Sequence, residues 1–356
     1  MNVNFEAASL EWLLPGQSAR FDIRVCPPQN AAPAAAECSF ANKAAMTDDP
    51  RRSRYFNFPE ARQAYARGEN VTLHLQQQLG VLGNTPEIIE MAYDLQAGTY
   101  IAHAKNQRAR LDLYCTEMAG VLAPYLTAEA SILDIGTGEL TTLTHLVNGL
   151  DTHRGPLMAF DISWSRLRVG RAYASSQMKR NAYERLSLFT ADITEIPLPD
   201  SSIDIVISSH ALEPNHGRER ELLAEILRVA RRFAILFEPS YELNSAEGRA
   251  RMEKLGYVRE LPAIATGLGA KVIAISPLTH TANPQNPTAA LIVEPPTTAA
   301  NDPILCDPGS SFPLIRRDTY FYSPERGVSY PIIEGIPVLR SSVAVLTSAL
   351  ADETSD

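Results

Sequence analysis

Between Ser131 and Phe237 short apolar runs alternate with segments of helical periodicity, and this alternation restricts the chain more than any other feature. Ile132-Leu133-Asp134-Ile135 reads as a buried strand and Leu140 to Leu150 as a helix. Leu157-Met158-Ala159-Phe160 is a second strand, followed by a helix from Ser163 to about Met178. Leu186 to Phe189, Ile203 to Ile207 and Phe233 to Phe237 supply three more strands, with a helix from Arg218 to Arg232 before the last. Strands covered on both faces read as continuous apolar runs, so the pattern predicts a doubly wound α/β fold around a parallel sheet. Lys271 to Ile275 and Ala289 to Val293, separated by Asn283-Pro284-Gln285-Asn286-Pro287, suit a hairpin that finishes the sheet.

The flanking regions differ in texture. Residues 1–58 are irregular, with Pro27-Pro28-Gln29-Asn30 followed by an alanine-rich stretch. Residues 59–130 are helical, interrupted at Gly68 and Gly98 and running to about Leu126. Within them Thr85-Pro86-Glu87 marks a helix start, with Thr85 as N-cap and Pro86 in the first turn. Residues 131–296 hold the α/β core, and after Pro295-Pro296 residues 297–356 form a small strand-rich module and tail.

Composition excludes several classes of function. Acidic residues outnumber basic ones 41 to 32, which argues against direct nucleic-acid binding, since phosphate neutralisation needs clustered Lys and Arg. The densest basic run (Arg218, Arg220, Arg228, Arg231, Arg232) reads as a solvated helix face. Cys26, Cys38, Cys115 and Cys306 include no CxxC pair, which fits a reduced, cytoplasmic protein, although oxidation of Cys26 with Cys38 stays open. No apolar stretch approaches the roughly 20 residues of a membrane span, and no signal peptide is evident. A soluble protein with no membrane association is expected.

In an open α/β sheet ligands sit beyond the carboxyl ends of the strands. Asp134-Ile135-Gly136-Thr137-Gly138 occupies that position after the first strand, and its glycines allow a tight turn and close backbone approach. Asp161 ends the second strand, 23 residues beyond Gly138, where a carboxylate can accept hydrogen bonds from both hydroxyls of a ribose. A dinucleotide fingerprint needs a third glycine, where this chain has Thr141, and Glu139 would repel a pyrophosphate. An adenosine cofactor without phosphate fits better. Asp192 is placed to accept from an adenine amino group, with Ile193 packing on the ring.

Leu133-Asp134-Ile135-Gly136-Thr137-Gly138, Asp161, Ala191-Asp192 and the stretch from Ile196 through Pro197-Leu198-Pro199-Asp200 to Val206 follow in order. Together, over about residues 85–294, they resemble the class I S-adenosylmethionine-dependent methyltransferases, especially the small-molecule branch. The resemblance implies a Rossmann-like methyltransferase sheet, an N-terminal helical lid and S-adenosylmethionine as cofactor. The implied cofactor contacts are Asp134, Gly136, Gly138, Asp161, Ile162, Asp192, Ile193 and Ser209.

Methyl transfer to a hydroxyl needs a base, and the loop after the fourth strand offers His210, with Glu213 and His216 behind it. The bland alternative makes His210 a packing residue and Glu213 an arginine partner. Glu238 and Tyr241, at the exit of the fifth strand, are candidate substrate contacts or caps of a helix near Ser245. Tyr93 and Tyr100 line the lid or lie in its core. No metal-ligand spacing appears, so metal-dependent chemistry is not expected.

Leu305-Cys306-Asp307-Pro308, Tyr322-Ser323-Pro324-Glu325-Arg326-Gly327 and Tyr330-Pro331-Ile332-Ile333-Glu334-Gly335-Ile336-Pro337 resemble the zinc-ribbon-like activator subunit of methyltransferases. That ribbon carries two cysteine pairs and only Cys306 remains here, whereas structural zinc takes four ligands. A metal-free module that buttresses the core or recruits a protein partner, including a second copy in a homodimer, is expected. The leading reading is methyl transfer to an O or N atom of a small metabolite or glycan-type intermediate. The rival is a non-catalytic methyltransferase-like scaffold or partner-activating protein.

Overall fold

The computed structural model describes residues 57–281, 287–296 and 300–350. The irregular segment, all but its last two residues, and the Cys26 and Cys38 pairing lie outside the described residues, as does most of the Asn283 to Pro287 loop. Five helices precede the sheet: α1 (Phe58–Ala66), α2 (Val71–Leu79), α3 (Pro86–Asp94), α4 (Thr99–Asn106) and α5 (Arg108–Leu122). Asn57, Asn70 and Thr85 cap the first three by accepting amides of their first turns. Gly68 and Gly98 break the run at φ of +75° and +99°, as their sequence positions predict. A further break at Gln107, with φ −118° and ψ 34°, has no glycine or proline to announce it. The last helix stops at Leu122 rather than near Leu126.

The core continues as β1 (Ile132–Ile135), α6 (Thr141–Asn148), β2 (Leu157–Asp161), α7 (Trp164–Gln177), α8 (Arg180–Tyr183) and β3 (Leu186–Thr190). Next come β4 (Ile203–Ser209), α9 (Glu219–Val229), β5 (Ala230–Pro239), α10 (Ala246–Leu255), α11 (Leu261–Gly267), β6 (Lys271–Pro277) and β7 (Thr288–Glu294). The seven strands lie in the order β3-β2-β1-β4-β5-β7-β6. The pairs from β3 through to β5 are parallel, and β7 runs antiparallel to both its neighbours, giving the doubly wound sheet with a terminal hairpin. The winding reverses between β1 and β4, the crevice where such sheets bind ligands.

Alternation along the strands divides the core between two faces. Leu133, Ile135, Phe160, Val206 and Leu236 pack with Leu222, Leu223 and Ile226 of α9 and with Leu261 of α11. Ile132, Ala159, Ile205, Ile207 and Phe237 pack with Tyr114 and Met118 of α5 and with Leu143 and Leu146 of α6.

The predicted helix from Arg218 to Arg232 is shorter. It ends at Val229, and Arg231 and Arg232 already belong to β5. The basic run is a solvated face only in part: Arg220 is exposed, but Arg228 and Arg231 are engaged. Arg231 reaches Oδ1 of Asp204 at 2.6 and 2.9 Å. Arg228 donates to Glu225, Asp200 and the carbonyls of Ile196 and Leu198. Acidic partners, Glu225 on the same helix and Asp200 and Asp204 beyond it, turn these cations into staples.

Residues 301–350 add β8 (Ile315–Arg316), β9 (Tyr320–Ser323), β10 (Val328–Ile333), β11 (Ile336–Pro337) and β12 (Val345–Leu346), an antiparallel sheet. This module closes the free edge of β3: Val338 bridges Thr190, and the Leu339 amide donates to the Thr190 carbonyl at 2.9 Å. Phe321, Tyr330 and Leu339 join the core on the α9 face. Capping an edge strand this way removes a template for unwanted pairing. Among the described residues no group of His, Cys, Asp and Glu is arranged to hold a metal ion, and Cys306 is buried as a free thiol. No described helix is long and apolar enough to cross a membrane.

Candidate functional site

A cavity of about 610 Å³ opens beyond the carboxyl ends of β1, β2 and β4, beneath α3, α4 and the start of α5. That volume lies in the range of a cleft for one small molecule or a cofactor with its substrate. Its wall includes Gly136, Gly138, Asp161, Ile162, Asp192 and Ile193 from the sheet side. Ser209, His210 and Glu213 come from the loop after β4, and Tyr93 and Tyr100 from the helices above.

The glycine turn is shaped by its neighbours. Gly136 and Gly138 hold φ of +62° and +58°. A Cβ on Gly136 would meet the Ala211 side chain at 2.5 Å, so this glycine lets the loop after β4 close against the turn. Asp134 lies below the turn rather than on the cavity wall. It accepts the Thr137 hydroxyl at 2.6 Å, and complete burial pushes its carboxyl up to about 7. Its part is to hold the turn from beneath, a correction to the direct contact expected of it.

Asp161 closes β2 where the sequence places it. Oδ2 accepts the Gly138 amide at 2.8 Å and Oδ1 the Ser163 amide at 2.9 Å. Asp192 caps a short 3-10 turn by accepting the Thr194 amide and hydroxyl, with Ile193 beside it on the wall. Ser209 bonds the fully buried Tyr114 hydroxyl at 2.9 Å.

His210 sits at φ +56°, in the left-handed region that few side-chain-bearing residues adopt. Nδ1 lies 2.9 Å from Glu213 Oε2, and Nε2 lies 2.8 Å from the Thr288 hydroxyl. Burial works against the imidazolium, but Glu213 outweighs it and the net pKa is raised. His210 and Glu213 therefore form a hydrogen-bonded pair on the wall. His216 is not among the wall residues and pairs with Glu219 at 2.7 Å.

Glu238 and Tyr241 are not brought to the cavity. Glu238 is buried under the loop after β4, where Oε1 accepts the Ala211 and Leu212 amides at 3.0 and 3.2 Å. Burial pushes its carboxyl up to about 7. The Tyr241 hydroxyl donates to Glu253 of α10 at 2.6 Å. Glu238 satisfies backbone at the strand exit and Tyr241 turns to a carboxylate of α10, both in place of a ligand.

Two roles were not read from the sequence, that of Glu139, known there only as a carboxylate beside the turn, and that of Arg166. Glu139 is fully buried and accepts the amides of Gly98 at 2.9 Å and Ile101 at 2.8 Å, with Tyr100 at 3.4 Å. It caps the N-terminus of α4 from about forty residues away in the chain, tying the overlying helices to the glycine turn. Arg166, also on the wall, occupies the third position of α7. There is a sequence signal for it. Ser163 caps this helix by accepting the Arg166 amide, and a capping box would carry Glu or Gln at position 166. A cation there opposes the helix dipole. Asp94 at the end of α3 supplies the missing acid, accepting the Ser163 hydroxyl at 2.7 Å and the Ser165 hydroxyl at 2.9 Å.

Residues 132–232 match a family model described as a methyltransferase domain, the span from β1 into β5 that carries the turn, Asp161, Asp192 and His210. No curated protein matches the sequence. Among solved structures the chain is similar to magnesium protoporphyrin IX methyltransferase from Synechocystis with bound SAH. That match has 15% identity and a TM-score of 0.45, covering 59% of this chain and all of the other. It is also similar to a chain in a Haloferax volcanii complex of a methyltransferase activator with a putative methyltransferase. There the identity is 18% and the TM-score 0.43, over 57% of this chain and 97% of that one. A SAM-dependent methyltransferase from Aquifex aeolicus aligns at 18% identity and a TM-score of 0.40, over 52% and 92% of the two chains.

Proposed function

We propose that this chain is a class I S-adenosylmethionine-dependent methyltransferase acting on an O or N atom of a small metabolite or glycan-type intermediate. The observation that carries the reading is the Asp161 carboxylate, which ends β2 on the cavity wall and binds the Gly138 amide of the turn at 2.8 Å. An ionised carboxylate offers about four lone-pair positions. Two are taken by the Gly138 and Ser163 amides, which leaves two for the vicinal hydroxyls of a ribose.

The donor set suits this cofactor. Four carboxylates and three arginines (Arg110, Arg166, Arg218) share the wall, and the two carboxylates at the glycine turn itself, Glu139 and Asp161, repel a pyrophosphate there and favour a cation. When bound, S-adenosylmethionine supplies an electrophilic methyl group on a sulfonium. Asp192 faces the place for an adenine edge, and Ile162 and Ile193 offer apolar surface to its ring. Helices α3 and α4 roof the cavity through Tyr93 and Tyr100, the place for a lid over cofactor and substrate. The His210 and Glu213 pair, held by Thr288, is the proton-accepting group for an acceptor hydroxyl. The C-terminal module acts as a built-in buttress on the β3 edge.

The scaffold reading has one observation in its favour, that both His210 ring nitrogens are engaged within the protein. Calorimetric titration with S-adenosylmethionine, S-adenosylhomocysteine and NAD separates the readings. The first two are expected to bind in the micromolar range, with Asp161→Ala weakening both by roughly 100-fold, as the loss of two charge-assisted hydrogen bonds dictates. Binding of NAD alone reverses the assignment. Cofactor binding without release of homocysteine product from any acceptor screened favours the scaffold.

A further inference from the structure

The methyl-transfer reading gives no task to Arg166, the buried arginine of a wall that also carries Arg110 and Arg218 at more exposed positions. Arg166 is only 7% exposed. Its guanidinium carbon lies 5.0 Å from the Tyr93 ring centroid and 4.5 Å from that of Tyr100. Among the described residues its side chain makes no hydrogen bond, and Nε is sealed from solvent without a partner. The one carboxylate within ion-pair range is Asp161, with Oδ2 at 3.9 Å from Nη1, and that oxygen already accepts the Gly138 amide.

Burial works against the guanidinium, and although Asp161, the two tyrosines and Glu139 favour its charge on balance, none of them takes up its donors. A guanidinium carries five donors in a fixed fork, and withdrawing it from water without partners is costly. The N-terminal end of α7 adds an opposing dipole. Tyrosine faces stabilise the cation but accept none of its N–H groups in the plane of the fork. A carboxylate does, through two parallel hydrogen bonds, and it neutralises the charge as well.

We propose that Arg166 is a carboxylate-binding residue, so that the ligand of this cavity carries a carboxylate that docks on the guanidinium beside Tyr93 and Tyr100. The inference deepens the proposed function and rests on it only for the bearer of that group. The amino-acid end of the adenosyl cofactor is one source, and an acidic methyl acceptor is the other. In either case the wall is bipolar: Asp161, Asp192 and Glu213 meet the neutral and cationic parts of the ligand, and Arg166 meets its anionic end.

Titration of the full chain and of Arg166→Met and Arg166→Lys distinguishes the sources. S-adenosylhomocysteine bears the carboxylate, and methylthioadenosine presents the same nucleoside without it. If the cofactor is the bearer, Arg166→Met weakens S-adenosylhomocysteine by roughly 10- to 100-fold and leaves methylthioadenosine unchanged. Arg166→Lys then recovers only part of the loss, because the ammonium lacks the fork. If the acceptor is the bearer, both nucleosides bind the variants as they bind the wild type. Benzoate, added with S-adenosylhomocysteine, is then preferred over benzamide by the wild type alone. Where Arg166→Met melts early, Arg166→Lys carries the comparison. S-adenosylhomocysteine and benzoate both binding equally to wild type and variants overturns the proposal. Benzoate binding that depends on Arg166, with no adenosyl compound bound, keeps the anion site and removes the methyltransferase reading.

Discussion

Replacing Glu139 with alanine isolates the link between the glycine turn and the helices that roof the cavity. The side chain is 1% exposed, and it satisfies the Gly98 and Ile101 amides at 2.9 and 2.8 Å. Hydrogen bonds to a charged acceptor are worth about 1.5–3 kcal/mol each. Gly98 and Ile101 are only partly buried, so water replaces part of what Glu139→Ala removes. A net local loss of roughly 2–3 kcal/mol follows, equivalent to opening of α4 about 30- to 150-fold more often. The sheet does not depend on these bonds, so the loss belongs to local opening rather than to global unfolding. Native-state hydrogen exchange reads this directly. Amides of α4 are expected to lose protection by that factor in Glu139→Ala, while those of β1, β2 and β4 keep theirs. Glu139→Gln, which retains one acceptor oxygen, falls between. Unchanged exchange in α4, or a uniform loss across the sheet, refutes the assignment of Glu139 as the tie that holds the roof.

Two further outcomes follow from the geometry. Glu238 has its carboxyl raised by burial from the ordinary 4.5 to about 7, so the folded state holds a proton that the unfolded state releases. Stability from that proton is complete below about pH 4.5 and is lost as pH rises to 7, on the order of 3 kcal/mol. Asp134, also raised to about 7 by burial, acts in the same direction, as does His210, whose contribution goes as pH climbs through its raised value. Glu238→Gln keeps the acceptor for the Ala211 and Leu212 amides, so its melting temperature should fall less than that of the wild type between pH 5 and 7.5; parallel curves reject the idea. Deleting residues 300–356 bares the β3 edge, removes Tyr330 and Leu339 from the core and breaks the Arg340 to Glu90 pair with α3. A drop in melting temperature of at least about 10 °C, or insolubility, is expected, and a fully stable truncated chain contradicts the buttress role.

The neighbouring relations of the site were legible before the fold was known wherever they depend on short segments. A buried strand running into Gly136-Thr137-Gly138, and a second strand ending in Asp161, place these groups on one edge because parallel strands share a direction. Local signals were enough for the cap at Thr85 and for the breaks at Gly68 and Gly98. Glu238 and Tyr241 show the limit of that reasoning. Position at a strand exit suggests a cleft residue, but the side chain turns to whichever unsatisfied group lies nearest, here the amides after β4 and a carboxylate of α10.

What the sequence determined by itself is therefore the order of strands and helices, the turn, and the acid that ends β2, all set by periodicity and backbone permissiveness within a few residues. Tertiary structure alone decided that Glu139 serves α4, that Asp94 supplies the acid at the N-terminus of α7, that Arg231 pairs with Asp204, and that the module of residues 301–350 seals β3. Such pairings join groups 27 to 148 residues apart. The chain's local preferences are indifferent to them, and they form only when packing excludes water and leaves each buried charge or amide one partner within reach.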